Sequence, residues 1–477
     1  MAINFKTLNS GLTKGQAELV SEVSKFLKSD LVTFTISGYA GTGKSYITNH
    51  IIKNLLKDKK VAVTAPTHRA VRVIENFTGK RGHTLHSLHG LRPNYSLDEF
   101  NIDNIKYESI GNVKFQDYDV IFIDEASMIS KDLKKLNDIR AKQFKTKLIY
   151  LGDEFQLPPV KEDRHSEVFD TVDVKYTLTE VIRQKDSNPL LDMFDLLRED
   201  IPTNGASFLN HIKTNRSSVL NNEGYEVLTI NDTKTKMLEM FKSEEFTKDL
   251  NYCRYGGFTN EAVALWNSYI RAVLYPTNDL IVVGDLLTGY KTIIDNNNVP
   301  VITNSSDYRV ISSTRRISDL GFACYNVTVL SLDNDKVTKL SIIDHTDNTF
   351  KVYYEIINKL HRTAHFSKGI DRSENFKKYF AFKDAHLCMI TFPLNDGSVI
   401  RGWVNKEIYY GYGVTIHKLQ GSTLKNIFLD VLDIAYVKMN YKTPRVNNDF
   451  NPTAISMRNR LLYTGLTRVS NKAYIIL

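Results

Sequence analysis

Three cysteines in 477 residues are too few for a disulfide framework. Cys253, Cys324 and Cys388 are also far apart and lack metal-ligand spacing, so they read as reduced core residues of a cytosolic protein. No apolar run approaches the roughly 18 residues that a membrane-spanning helix needs. The opening Met1-Ala2-Ile3-Asn4-Phe5-Lys6 has no apolar signal-peptide core. A soluble, non-secreted, cytoplasmic chain is therefore expected.

What is present is the composition of an ordinary globular protein, 42% hydrophobic and 24% charged. The length exceeds what one core can organise, and roughly two to four domains are expected. A net charge of +8 favours a polyanionic partner. With 25 tyrosines and 24 phenylalanines, some rings can be spared from the core to stack on bases.

Gly38-Tyr39-Ala40-Gly41-Thr42-Gly43-Lys44-Ser45 fits G-x-x-x-x-G-K-[ST] without a gap. It follows a strand-like run, Leu31 to Ile36, and opens a helix-like run, Tyr46 to Leu56. Glycines let the backbone approach a phosphate, and successive amides at a helix start form a nest for anionic oxygens. In this pattern Lys44 reaches the outer phosphates and the Ser45 hydroxyl ligates Mg²⁺. The segment reads as a nucleoside triphosphate site rather than a glycine-rich turn.

Upstream, Leu12-Thr13-Lys14-Gly15-Gln16 precedes an amphipathic helix in which Ala17, Val20, Val23 and Phe26 recur. Gln16 is either an adenine-edge partner or a surface glutamine at a helix start. Val61 to Pro66 is a short buried strand of the parallel-sheet kind, and Pro66, Thr67 and His68 sit at its carboxyl end, where α/β sheets place ligand contacts. Thr84 and His86 form a second polar cluster; taken singly, each cluster reads as turn chemistry before it reads as a binding site. Asp119 to Ile123 is an apolar strand ending in Asp124-Glu125. A carboxylate there can hold Mg²⁺ opposite the serine, which assigns Asp124 to the metal and Glu125 to the attacking water. Leu148 to Leu151 is another buried strand, and the Gly152-to-Val160 segment with its paired prolines makes a stiff exit. Gln156 is thus a candidate sensor of the terminal phosphate.

In the second half, Asn188 to Arg198 reads as a helix with Leu190, Leu191, Phe194 and Leu197 on one face. Ile201 to Asp249 is polar and irregular, with no assignable chemistry. Tyr255 to Asn260 ends a strand and opens a helix with Asn260 as its N-cap, and Trp266 lies at core spacing within it. Between about Gly284 and Tyr409 short strands separated by Asn/Asp turns predict an inserted β-barrel. Trp403 either stacks on a base or packs beneath that barrel. Thr415, His417 and Lys418 supply hydroxyl, imidazole and ammonium groups suited to a nucleic-acid backbone.

Taken in order, the blocks LTKGQ, GYAGTGKS, APTHRA, TLHSLHG, IDEAS, GDEFQLPPV, LTEVIRQ, GYGVTIHKLQGST and LLYTGLTRV resemble the superfamily 1 helicases. Within them the chain is most similar to the RecD-like 5′→3′ subgroup, and in its short inserts to the phage Dda helicases. The resemblance runs from Gln16 to Arg468. It implies an α/β fold of two RecA-like P-loop domains clamping ATP, with a small wedge insert in the first and an SH3-like β-barrel in the second. The implied boundaries are 1–181 for the first domain, 182–284 with 410–477 for the second, and 285–409 for the barrel with a helical elaboration.

Residue by residue, the resemblance implies that Gln16 contacts adenine while Gly38, Ala40, Gly41, Thr42, Gly43, Lys44 and Ser45 cradle phosphate. Asp124 and Glu125 are the metal and water carboxylates, and Gln156 senses the γ-phosphate. Arg183 and Arg468 become arginine fingers, and Thr259 with Asn260 a second-domain DNA contact. Strand separation needs a wedge, and the 90–116 insert offers Phe100 or Tyr95. The implied activity is ATP- and Mg²⁺-dependent 5′→3′ translocation on single-stranded DNA with unwinding of forked duplex. It would be carried out by a monomer, in the host cytoplasm if phage-encoded, alongside single-stranded-DNA-binding or replication proteins, in replication or recombination. RNA unwinding, displacement of DNA-bound proteins and a non-catalytic nucleotide switch are the rival readings. An appended nuclease is disfavoured, since no carboxylate cluster follows these blocks.

Overall fold

The computed structural model describes residues 11–93, 107–109, 112–159, 162, 164–180, 188–294, 300–397, 399–435 and 452–477. The chain forms two compact units, one of residues 1–89, 113–266 and 413–477, the other of residues 90–112 and 267–412.

The larger unit is built on two six-stranded sheets. In the first, all strands are parallel, in the order Gly82–Thr84, Val61–Ala65, Val120–Ile123, Lys147–Gly152, Thr33–Gly38, Val174–Leu178. Alternate side chains feed two separate cores, as a sheet covered on both faces requires. Val120 and Phe122 pack with Val20, Val23, Phe34, Ile36, Ile47 and Ile51 on one face. Ile121 and Ile123 pack with Leu85, Leu88, Phe115, Leu148 and Tyr150 on the other. Parallel strands bring their carboxyl ends to one edge, and Gly38, Pro66, Asp124 and Asp153 all lie there.

The second sheet runs Gly413–Thr415, Cys253–Gly257, Leu424–Asp430, Val469–Ile476, Glu223–Leu228, Ser217–Leu220, parallel except for the last pair. The helices Leu190–Thr203 and Pro452–Leu466 cover one face, burying Leu190, Phe194, Leu197, Leu461 and Leu462 against Ile427, Leu429 and Ile475. The segment 201–249, irregular in sequence, holds the helices Ser207–Thr214, Ile230–Phe241 and Glu244–Lys248 and the last two strands of this sheet. Trp266 is only 8% exposed, and its ring lies 5.6 Å from that of Tyr255, so it packs as its spacing predicts.

The other unit carries a five-stranded antiparallel sheet, ordered Val337–Ile343, Ala323–Ser331, Asp307–Ile317, Leu286–Gly289, Ile408–Tyr410. The helices Phe350–Phe366 and Gly369–Ala385 pair with one another, and Tyr353, Ile357, Phe376 and Tyr379 join Phe322, Cys324 and Cys388 in its core. Two buried ion pairs, Lys383–Glu407 at 2.7 Å and Arg271–Asp285 at 2.6 Å, lie within it. Within the expected wedge insert, Leu91–Pro93 and Tyr107–Ser109 form an antiparallel ladder; Tyr95 and Phe100 lie outside the described residues. No described helix is long and apolar enough to cross a membrane, and all three cysteines are buried and free.

Candidate active site

The turn after Thr33–Gly38 has the backbone its glycines predict. Gly41 and Gly43 have φ of 84° and 78°, in the left-handed region that only glycine enters without cost. A Cβ at Gly38 would stand 2.8 Å from the Thr42 hydroxyl and 3.2 Å from Leu178. Gly43 caps the helix Lys44–Leu55 without any side-chain bond, so the first amides of that helix have no side-chain acceptor and suit an anion. The Lys44 ammonium is buried and donates to the carbonyls of Gly38 at 2.6 Å and Tyr39 at 3.0 Å. Burial pulls its pKa down, while the Asp153, Asp124 and Glu125 carboxylates pull the other way.

The carboxylates follow directly from the neighbouring strand ends. Asp124 accepts from the Glu125 amide at 2.9 Å. Burial and the adjacent Glu125 charge push its pKa up to about 7, with Lys44 and Arg468 opposing. Glu125 adopts φ 51° and ψ 45°, a left-handed conformation that costs a non-glycine residue roughly 1–2 kcal/mol. Strain of this kind gathers where a side chain must be aimed. Asp153 is also buried; it accepts from the Tyr463 hydroxyl at 2.9 Å, and burial raises its pKa against the pull of Lys44.

The second sheet completes the pocket. Arg468, in the turn between Pro452–Leu466 and Val469–Ile476, places its guanidinium 3.6 Å from the Glu125 carboxylate, and both side chains are largely buried. Gly421, at φ 75°, brings its backbone close enough that a Cβ there would sit 3.8 Å from that carboxylate. Lys44, Ser45, Asp124, Glu125 and Gln156 from one sheet and Gly421, Ser422 and Arg468 from the other line a cavity of about 100 Å³. Ala40 and Gly41 complete its floor. Gln156 Oε1 and Arg468 Nε are buried there without a hydrogen-bond partner among the described residues. Buried cations, open helix amides and an unpartnered guanidinium nitrogen are a donor set for a polyphosphate, and two carboxylates beside a serine can serve its metal ion. Arg183 lies outside the described residues.

A profile for the AAA domain matches residues 11–214. The ATP-dependent DNA helicase Dda of Enterobacteria phage T4 is 29% identical over 285 residues, covering 58% of this chain and 60% of the phage protein. The RecD2 DNA helicase of Deinococcus radiodurans is 28% identical over 208 residues, covering 43% of this chain and 26% of that protein. The chain is similar in sequence to parts of the Dda and RecD2 helicases. It thus aligns with less than two thirds of the length of either. The crystal structure of Pif1 helicase from Candida albicans superposes with a TM-score of 0.48 at 19% identity, covering 98% of this chain and 94% of that one.

The remaining sequence blocks fall at strand ends and helix starts, where several of their polar groups already have partners. Gln16 is 2% exposed, not a surface residue. Its amide completes a capping box with Thr13, and its Nε2 donates to the Thr42 carbonyl at 3.3 Å, beneath the phosphate turn. Thr67 and Thr84, expected at the nucleic acid, are the N-caps of His68–Thr78 and Leu85–Leu88. They accept from the Ala70 amide at 3.2 Å and the Ser87 amide at 3.3 Å. Burial lowers the pKa of His68, His86 and His417 alike, which favours neutral rings. The His417 ring lies 6.0 Å from that of Phe258. Thr415 makes no capping bond, and Trp403 is 40% exposed rather than packed beneath the barrel. Lys418 is half-buried.

At the next helix start the cap is Thr259, not Asn260. The Thr259 hydroxyl accepts from the Ala262 amide at 3.1 Å and donates to Asp433 at 2.7 Å. Asp433 also receives the Phe258 and Thr259 amides at 2.6 Å and 2.9 Å, so this carboxylate from the distant short helix Val431–Ala435 shapes the whole corner. Asp433→Ala is expected to destabilise the chain by about 1–3 kcal/mol, read as a lower urea midpoint at unchanged slope; an unmoved midpoint would mean that the corner holds without it.

Three contributors escape a reading of single motifs. Asp153 carried a signal, since it stands in a second carboxylate pair at a strand end, as Asp124 does. Arg198 and Tyr463 carried none. The Arg198 guanidinium lies 4.1 Å from the Tyr39 ring centre, and only the fold brings those residues together.

Proposed function

We propose that the chain is an ATP-driven translocase on single-stranded DNA and a DNA helicase, moving 5′→3′. The observation that carries this reading is the approach of Arg468 to Glu125 across a pocket whose other wall holds Lys44. A loose phosphoryl-transfer transition state spreads negative charge over the transferred group, and added cations stabilise it. One wall supplies the cradle and the carboxylates, the other a guanidinium, so hydrolysis depends on how the two approach, and chemistry becomes motion.

In this reading Lys44 and the amides after Gly43 bind the phosphates, Gln16 faces adenine, and Glu125 orients the attacking water. Gln156 senses the terminal phosphate, and Arg468 with Arg183 supplies positive charge. Ser45 and Asp124 would hold Mg²⁺, which neutralises phosphate charge when bound and would keep Asp124 ionised. In this reading the two six-stranded sheets belong to RecA-like domains 1–181 and 182–284 with 410–477, and the antiparallel sheet, whose strands run from Leu286 to Tyr410, to the SH3-like module proposed at 285–409. Pro66, Thr67, His68, Thr84, His86, Thr259, Asn260, Thr415, His417 and Lys418 are the proposed DNA contacts; Trp403, in the other unit, is separately a candidate for stacking on a base, and Phe100 a candidate wedge. A monomer suffices for this scheme. The Dda and RecD2 relatives are named as ATP-dependent DNA helicases, which supports the assignment.

Strand displacement on forks with a single 5′ or 3′ tail tests it. Unwinding that needs ATP and a 5′ tail is expected; unwinding from the 3′ tail alone would reverse the polarity. ATPase activity without displacement on either fork would favour a protein-displacing motor. No ATPase with or without DNA would leave a nucleotide switch.

A further inference from the structure

The loop Asp153–Leu157 leaves the first sheet, yet its side chains and carbonyls are bound into the second. The Leu157 side chain is fully buried in the same core cluster as Leu190, Phe194 and Leu461. Its amide donates to the Thr464 hydroxyl at 3.1 Å. The Arg460 guanidinium, 8% exposed, donates through one nitrogen to the Glu154 carbonyl and, at 2.9 Å, to that of Gln156. Tyr463 closes the set with its hydroxyl on Asp153 at 2.9 Å. Arg460, Tyr463 and Thr464 all stand on the helix Pro452–Leu466, whose end leads into Arg468. Gln156 thus occupies a loop that starts in one sheet and is anchored in the other.

We infer that Arg460 is a positioning residue: with the Leu157 anchor it makes the Gln156 loop travel with the second sheet, so that Gln156 and Arg468 approach the phosphate site as one body. The inference rests on the proposed ATPase reading and deepens it. The geometry supports a lever rather than a passive contact. The sensor's own carbonyl and that of Glu154 share one charged donor, and charge-assisted bonds of this kind are the strong ones. Leu157 gives the loop a hydrophobic anchor one residue beyond the sensor. A rotation of the second sheet that left the first in place would therefore pull Gln156 out of the pocket together with Arg468, and displacement by about 1 Å can cost on the order of 10²-fold in rate. Arg460 does not line the pocket; it reaches it only through the Gln156 loop.

The test is the full chain with ATP and oligo-dT, comparing wild type, Arg460→Met, Arg460→Lys, Gln156→Ala and the Arg460→Met/Gln156→Ala double variant. Turnover is followed at saturating ATP, affinity through a fluorescent ADP analogue, and folding through the thermal midpoint. Arg460→Met is expected to lower kcat by about 10–100-fold with ADP affinity within about 2-fold. Arg460→Lys, which keeps a donor able to bridge both carbonyls, should recover most of the rate. The double variant should be no slower than Gln156→Ala alone, because residues acting as one unit are non-additive. Full turnover in Arg460→Met would overturn the inference, as would losses that multiply in the double variant. Parallel losses of rate, affinity and thermal midpoint would reduce Arg460 to a packing role and overturn it as well. A wild-type chain without ATPase would instead sink the functional reading on which it stands.

Discussion

Lys44→Ala should reduce ATP turnover to about a thousandth of wild type or less while single-stranded DNA affinity stays within about 2-fold. The Lys44 ammonium is buried among Asp124, Glu125 and Asp153 and is held on the Gly38 and Tyr39 carbonyls at the edge of the phosphate turn. Its removal takes the only lysine among the described residues that line the pocket. Asp124 and Asp153, already pushed toward protonation by burial, lose a cation that opposes that shift. Both effects strike phosphate binding and the metal site together. The proposed DNA track uses other residues, so steady-state phosphate release and fluorescence-polarisation binding to oligo-dT should separate cleanly. A variant that still turns over at the wild-type rate would remove the glycine-rich turn from the mechanism.

Arg468→Ala should have a different signature. A guanidinium that acts on the transition state lowers kcat when lost, by ~10³-fold or more for arginine fingers, with little effect on ground-state affinity. Arg468 lies 3.6 Å from Glu125, so alanine also frees that carboxylate from its nearest described cation. Arg468→Lys should recover little, because an ammonium cannot reproduce the planar fork. The measurement is kcat beside the dissociation constant of a fluorescent ADP analogue. Unchanged kcat, or loss of affinity matching the loss of rate, would reassign the residue to binding.

Much of this site was legible in the chain itself. The turn 38–45, the Asp124-Glu125 pair and Gln156 each follow a run of apolar residues that can only be a buried strand, and parallel strands end at one edge. Trp266 could be placed in the core from its helical spacing with Val263 and Ile270. What was not legible depends on groups far apart in sequence. Thr259 rather than Asn260 caps its helix because Asp433, from a short helix 174 residues away, fixes the threonine hydroxyl and amide. Strand Ser217–Leu220 has no buried residue at all, being the exposed antiparallel edge of its sheet, so no alternation marks it. The latch of Arg460 on the Gln156 loop joins residues 304 positions apart. Threonines 67 and 84 show the reverse effect: the same hydroxyls that suit a DNA backbone are what a helix start demands.

The account stands on a single triphosphate being worked on from two walls in response to nucleic acid. Steady-state ATP hydrolysis by the intact chain, with and without oligo-dT, measures that directly. At least tenfold stimulation by single-stranded DNA is predicted, a part of the ~10³-fold or more that a transition-state guanidinium brought into place can supply. Hydrolysis that is absent, or equally fast with and without DNA, would contradict it.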